Sequence, residues 1–191
     1  MRRHLVLAST SPYRRALLER LGLPFEVVAP KCDEAPLPNE APQETASRLA
    51  VLKARSLGHP NALVIGSDQV AVSDGTRLDK PGDHATATRQ LRALSGKSAD
   101  FHTAVALLDS KSGNLQQRVV RCRVVFRSLD DGMIERYLRR EQPYDCAGSA
   151  KAEGLGIALI ARIETDDPTS LIGLPLIALT DMLARAGLPA V

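Results

Sequence analysis

The chain contains no tryptophan and only three tyrosines and three phenylalanines. Any aromatic surface in a binding site must therefore come from a very short list. Cysteine is scarce as well. Cys32, Cys122 and Cys146 are odd in number and none stands in a CxxC pair, which argues against a disulfide frame or a cysteine-based zinc site and leaves reduced thiols. His4, His59, His84 and His102 are scattered and build no HExxH cluster. No apolar run approaches the roughly 18 residues of a membrane span. Met1-Arg2-Arg3-His4 followed by Leu5-Val6-Leu7-Ala8 imitates the start of a signal peptide. That apolar stretch stops well short of the ~7–15 residues of a signal h-region, so it reads as a buried strand in a cytoplasmic protein. Surplus charge is also small. The 25 basic and 22 acidic residues leave a net +3, too weak for the dense basic face of a duplex-binding protein. It suits a small anionic substrate met by a few placed cations.

What the chain does have is an ordinary globular balance, with 44% hydrophobic and 25% charged residues over 191 positions. A core of Leu, Val, Ile and Ala in one domain over residues 1–191, or in two small lobes, is the expectation. Leu5 to Ala8 reads as a buried parallel strand. Ser11-Pro12 starts a helix that ends at Gly22. Phe25 to Ala29 is a second strand. Pro30 to Pro42 carries four prolines and several acids and reads as a functional loop. Thr45 to Leu57 is helical. Leu63 to Val72 is a strand that Ser73-Asp74-Gly75 turns back. Asp83 caps a helix to Leu94. Phe101 to Leu108 and Leu115 to Phe126 flank Ser112-Gly113-Asn114 as a hairpin. A helix over Asp130–Arg139, a strand over Leu159–Glu164 and a helix over Pro175–Ala186 complete the series. Strands and helices alternate with hairpins inserted, so the prediction is an α/β fold with a mixed, partly antiparallel sheet and flanking helices.

Several segments carry chemistry. In Ser9-Thr10-Ser11-Pro12-Tyr13-Arg14-Arg15 a strand ends and a helix begins, so free N–H groups, hydroxyls and two guanidiniums gather where a polyphosphate would bind. The plain alternative is a capped helix with two solvated arginines. Asp68, inside Val64-Ile65-Gly66-Ser67-Asp68-Gln69-Val70, is a charge in an apolar strand. It is either a general base or metal ligand, or a buried and hydrogen-bonded structural acid. Lys53 lies on the apolar stripe of its helix, so it snorkels or points into a site. Lys80 precedes Pro81, which fixes the chain beside a phosphate-binding ammonium. Asp33-Glu34 offers carboxylate oxygens to a magnesium ion. The stretch from Cys146 to Gly156 sets Glu153 among small residues and three glycines.

Taken together, SxSPxRR at Ser9–Arg15, Asp33-Glu34, GSDQ at Gly66–Gln69, Lys80-Pro81 and AGSxKxEGxG from Ala147 resemble the Maf family of nucleoside triphosphate pyrophosphatases. The likeness runs from Leu5 to the closing helix. It implies two lobes around a cleft, as in Maf and ITPase-like folds, and hydrolysis between the α and β phosphates with a divalent metal (Mg, Mn or Co). It implies Asp68 as proton acceptor, with Ser9, Arg14, Arg15, Lys53 and Lys80 on the phosphates. Glu34 and Asp68 would hold the metal, and Tyr13, Gln69 and Glu153 would govern the base. A homodimer is part of the same expectation. Those last three positions resemble the branch acting on 7-methyl-GTP, whereas the dTTP/UTP branch usually has arginine, threonine and glutamine there. A methylated guanine is cationic, and an aromatic face attracts it by roughly 0.5–2 kcal/mol. Glu153 would accept its N1–H and N2–H, and Gln69 offers both a donor and an acceptor. The competing expectations are a dTTP/UTP pyrophosphatase and a non-catalytic nucleotide- or nucleic-acid-binding regulator. The latter would use Arg118, Arg121, Arg123 and Arg127 as a basic stripe.

Overall fold

The computed structural model describes residues 3–35 and 37–191. The first two residues of the basic N-terminal motif, and Pro36 of the proline-rich loop, lie outside the described residues. The described chain forms seven strands and five α-helices. They are β1 (His4–Ala8), α1 (Pro12–Glu19), β2 (Glu26–Val28), α2 (Pro42–Arg55), β3 (Ala62–Ser73), β4 (Thr76–Leu78), α3 (His84–Leu94), β5 (Ser98–Asp109), β6 (Leu115–Phe126), α4 (Asp131–Glu141), β7 (Ile160–Glu164) and α5 (Leu176–Arg185). The sheet order is β2-β1-β3-β5-β6-β7, with β4 also on β3. β1 pairs in parallel with β2 and β3, while β4 on β3 and β7 on β6 are antiparallel. The expected mixed α/β sheet is what the chain forms.

Two compact units divide the chain. The first holds the residues up to Gln69, His102–Val120 and Asp167–Val191, and the second holds Val70–Phe101 and Arg121–Asp166. In the first unit Leu5, Leu7, Leu63, Ile65, Val105 and Leu107 of the strands bury against Leu17, Leu18, Leu179 and Leu183 of α1 and α5. Each such side chain removed from water contributes about 1.5–3 kcal/mol. β1 reads as an unbroken apolar run because Leu5 through Ala8 are all buried between two parallel neighbours.

Local rules place most boundaries. Ser11 caps α1, its hydroxyl accepting from the Arg14 N–H, with Pro12 at the first helical position. α2 begins at Pro42, earlier than the Thr45 expected from periodicity alone. Pro42 tolerates the first turn, and Glu44 Oε2 accepts from the Ala41 N–H at 3.0 Å. Between β3 and β4, Asp74 and Gly75 both take positive φ (47° and 74°), the two-residue hairpin geometry that Asp-Gly favours.

In the second unit, Asp83 caps α3 by accepting from the Thr86 N–H at 2.7 Å. Asp130 does the same for α4 through Met133 at 2.7 Å. α4 runs two residues past the expected Arg139, because Gln142 takes the left-handed conformation (φ 50°) that more often belongs to glycine. Short 3-10 turns at Ala147–Ser149, Leu155–Leu159 and Pro168–Ile172 fill segments that carry no helical or strand periodicity.

Candidate functional site

The site in the first unit starts from a missing side chain. A Cβ on Gly66 would stand 2.0 Å from the Ala50 carbonyl oxygen and 2.7 Å from the Ala54 backbone nitrogen. Only glycine lets α2 lie this close to β3, with Ala46, Ala50 and Ala54 as the fully buried small residues on its inner stripe. That approach carries Lys53, on the same stripe, to Asp68, two residues along β3 from Gly66.

Lys53 is 6% exposed and Asp68 8%, and Lys53 Nζ donates to Asp68 Oδ1 at 2.7 Å. Glu34 Oε2 approaches the same ammonium at 2.7 Å from the proline-rich loop. Burying an acid and a base together is tolerable only because each neutralises the other. Two carboxylates therefore converge on one cation, with Glu34 half exposed and Asp68 held within. The loop bearing Glu34 is anchored by a second ion pair, in which Arg48 donates to Glu40 at 2.6 and 2.7 Å and to the Ala35 carbonyl at 3.2 Å. Those hydrogen bonds from Arg48, with one from Thr45, hold the Glu40 carboxyl down at about 2.

Arg14 joins this group. Its Nε donates to the Gly173 carbonyl at 2.8 Å. Burial lowers its pKa, opposed by the carboxylates of Asp68 and Glu34. A partly desolvated guanidinium beside two acids suits an anion that brings its own countercharge. Ser9 is buried at the end of β1, and its hydroxyl accepts from the Ser11 N–H at 3.1 Å. Tyr13 is half-buried in the first turn of α1. Arg15, by contrast, pairs with Glu19 one turn along the exposed helix surface at 3.0 Å, so the structure does not bring it into this group.

Gln69 is occupied differently from the expectation of a base-reading amide. Its Nε2 donates to Thr103 Oγ1 at 2.9 Å and to the Ser170 and Leu171 carbonyls at 3.0 and 3.1 Å. It braces the Pro168–Ile172 turn. Ser67 continues the brace, donating to the Gly173 carbonyl, the same oxygen that receives Arg14. Gly173 itself has φ 123°, a conformation that favours glycine. Buried Asp167 starts this turn, accepting from Thr169 Oγ1 at 2.7 Å and from the Ile177 N–H at 2.8 Å. Sequence reasoning did not single out Asp167, Thr103, Ser170 or Gly173, although Asp167-Pro168 is a capping signal.

Lys80 and Glu153 belong to the second unit, and both are exposed. Lys80 precedes buried Pro81, and the Gly82 N–H donates to the Tyr144 carbonyl at 2.9 Å. Glu153 lies in a loop fixed around Glu141. The Leu155 N–H donates to Glu141 Oε2 at 2.7 Å, and Lys151 Nζ lies 3.2 Å from Oε1. The hydrogen bond from Leu155, and then Lys151, lower the Glu141 pKa. Gly156 is required here by the backbone, and a side chain at position 154 would displace the Glu141 carboxylate from its bonds. A Cβ would stand 2.5 Å from the Lys151 backbone in the first case and 2.7 Å from the Glu141 carboxylate in the second.

Cys32, which has no distinguishing mark in the sequence, is a neighbour of the Lys53 group. Burial, and then Glu34, push its pKa up, so it stays a neutral thiol beside the acids. Three of the four arginines weighed as a basic stripe, Arg121, Arg123 and Arg127, have partners of their own. Arg121 is forked onto Asp100 at 3.0 and 2.9 Å, Arg123 donates to Ser98 Oγ at 2.8 Å, and Arg127 donates to the Ile160 carbonyl at 3.0 Å.

Among the described residues no group of three or more His, Cys, Asp or Glu side chains is arranged to hold a metal by itself. No helix among them is long and apolar enough to cross a membrane. The family described as Maf-like protein matches residues 4–186. A 7-methyl-GTP pyrophosphatase of Cupriavidus pinatubonensis is 56% identical over 187 residues, covering 97% of this chain and 94% of that protein. One of Thiobacillus denitrificans is 59% identical over 185 residues, 96% and 92% respectively. One of Ralstonia nicotianae is 56% identical over 191 residues, 99% and 98%. A solved structure of a HAM1 protein from Coxiella burnetii is a distant match, 16% identical with a TM-score of 0.40, covering 83% of this chain and 98% of that one.

Proposed function

Since this chain belongs to the Maf family, we propose that it hydrolyses 7-methyl-GTP to 7-methyl-GMP and pyrophosphate, removing a modified nucleotide from the pool. Relatives more than half identical over nearly the full length carry that activity in their names. The observation that carries the chemistry is the buried Lys53–Asp68 contact with Glu34 on the same ammonium.

In this reading Asp68 accepts the proton of the attacking water. Lys53 ties down Oδ1 and fixes the plane of the carboxylate, which leaves the other oxygen for that proton. The water attacks across the α–β anhydride and the pyrophosphate leaves. Ser9, the start of α1, Arg14 and Lys53 supply donors and positive charge on the first unit, and Lys80 adds a further ammonium. Arg15 swings from Glu19 to a phosphate, at small cost because an exposed ion pair on a helix is worth only about 0.3–0.5 kcal/mol. The division of labour is that of phosphoryl transfer, in which positioning and charge stabilisation supply most of the rate.

The donor chemistry also fits a divalent cation of the magnesium class. Glu34 and Asp68 are neighbouring hard carboxylates, here meeting through the Lys53 ammonium, and such ions take one or two carboxylates plus substrate phosphates. Glu34 and Asp68 would hold it, and it would neutralise phosphate charge. For base selection, Tyr13 offers an aromatic face to the cationic ring and Glu153 a carboxylate to its N–H edge. Gln69 acts through the turn it braces and through its remaining acceptor. A cytoplasmic homodimer completes the proposal.

The test is a pyrophosphate-release screen over 7-methyl-GTP, GTP, UTP and dTTP with magnesium, manganese or cobalt. The proposal requires 7-methyl-GTP to give the highest kcat/KM. A preference for UTP or dTTP overturns the substrate, and no release from any nucleotide overturns the enzyme.

A further inference from the structure

Within the second unit, Lys80 and Glu153 sit on two segments far apart in sequence, and a single side chain joins those segments. Gln90, on α3, donates from Nε2 to the Asp79 carbonyl at 2.9 Å, immediately before Lys80. Its Oε1 accepts from Ser149 Oγ at 2.6 Å, in the glycine-rich segment that leads to Glu153. The amide carries its donor and its acceptor on separate atoms, so Gln90 can donate to one segment and accept from the other at the same time.

Ser149 carries unusual backbone geometry. It is fully buried and has φ 59°, a left-handed conformation that a non-glycine residue holds only where its surroundings impose it. Gly148 precedes it at φ 73°, and a Cβ there would stand 3.5 Å from Phe101 and 3.6 Å from Leu78. Leu78 in turn leads directly into Asp79. The turn thus lies next to the Leu78 and Phe101 side chains of β4 and β5, and the Gln90 bond holds its strained residue.

The Lys80 backbone is pinned from both sides. Gln90 holds the carbonyl of Asp79, and Tyr144 receives the Gly82 N–H. The Tyr144 hydroxyl lies 3.0 Å from His84 Nδ1, and His84 Nε2 lies 2.8 Å from Glu135. A lysine side chain is long and flexible, so the backbone beneath it decides where its ammonium spends its time.

We propose that Gln90 is a positioning residue that sets the separation of Lys80 from the Glu153 loop, matching the distance between the phosphate tail and the base of one nucleotide. This rests on the reading above, in which those two residues contact substrate. The two halves of the amide then have separable effects. The donor half governs Lys80 and hence phosphate binding for every nucleotide. The acceptor half governs the loop and hence the choice of base.

The experiment compares Gln90→Glu, Gln90→Met and Ser149→Ala with Lys80→Ala and Glu153→Gln, using pyrophosphate release from 7-methyl-GTP, GTP and UTP. Gln90→Glu keeps the acceptor for Ser149 and loses the donor for Asp79. It should raise KM for all three nucleotides by roughly five- to tenfold, the equivalent of about one net hydrogen bond, with selectivity retained. That deficit should shrink from about pH 8 toward pH 5, as the introduced carboxyl (ordinarily near ~4.3) starts to protonate and regains a donor. Ser149→Ala should reduce the 7-methyl-GTP to UTP preference severalfold. Gln90→Met should do both. Amide exchange gives a readout independent of activity, with Gln90→Glu accelerating exchange at residues 79–82 but not at 147–155. If Lys80→Ala and Glu153→Gln impair the enzyme while Gln90→Glu and Ser149→Ala leave KM, selectivity and exchange unchanged, the positioning role is overturned and the function stands. If Lys80→Ala and Glu153→Gln are themselves silent, the underlying reading of the second unit fails, and the positioning role with it.

Discussion

Lys53 Nζ donates to Asp68 Oδ1 at 2.7 Å, and both side chains are almost fully buried. A lone acid in an apolar strand is thereby matched by a lone lysine on the apolar stripe of a helix. Each offsets much of the cost of burying the other's charge.

Replacing Asp68 by Asn keeps an oxygen for Lys53 to bond and removes the proton acceptor. Turnover should fall by roughly 10²–10⁴-fold with the circular dichroism spectrum unchanged. Near-normal turnover in a folded Asp68→Asn protein would reject the assigned role.

Lys53→Met leaves the buried Asp68 carboxylate uncompensated. Breaking a buried pair from one side costs about 3–5 kcal/mol. For a chain of this size that lowers Tm by about 6–20 °C at roughly 2–4 °C per kcal/mol. Lys53→Arg should rescue poorly, because a planar fork does not fit between Glu34 and Asp68 as a compact ammonium does. Calorimetry checks the first statement, and turnover of the two variants checks the second.

Gly66→Ala pushes a methyl group into the Ala50 carbonyl and the Ala54 nitrogen, both backbone atoms that no rotamer change can move. Destabilisation of about 3 kcal/mol or more is expected, beyond ordinary overpacking. Activity should fall with it, because α2 carries Lys53. An alanine variant as stable as the parent in urea titrations would contradict the close approach of α2 to β3.

Glu40 supplies an acid-side stability term. Its folded pKa, about 2, lies below its ordinary value of 4.5. A depressed carboxylate stabilises the fold above the unfolded pKa, and that contribution is lost as pH falls from about 4.5 to about 2. Urea midpoints measured across this window should fall less steeply in Glu40→Gln than in the parent. Parallel curves for the two proteins would show that the Arg48 pair contributes nothing to the pH dependence.

How legible the molecule was varies with the range of the interaction involved. Caps and turns act within a few residues, so Ser11-Pro12, Asp83 and Asp74-Gly75 announced themselves, as did the apolar run of β1. The start of α2 carries no such local mark, because Ala41 has no capping side chain and Glu44 provides the bond instead. In the site, Asp68 and Lys53 stood out as charges in apolar patterns, a signal that needs no partner to be seen. Asp167, Thr103 and Gly173 had no such mark, since their importance lies in what meets them from distant positions.

Composition, spacing and local pattern thus determined the mixed α/β character and the short list of charged residues able to work on a triphosphate, and the resemblance of five separated motifs pointed to the family. Tertiary structure alone decided that Lys53 is shared between Asp68 and Glu34, that Gln69 braces a turn, that Arg15 rests on Glu19 and that Gln90 ties two loops together. The reason is physical. A side chain's type limits which bonds it can make, but the choice of partner depends on strands and helices brought together by burial, across stretches of chain that no local rule spans.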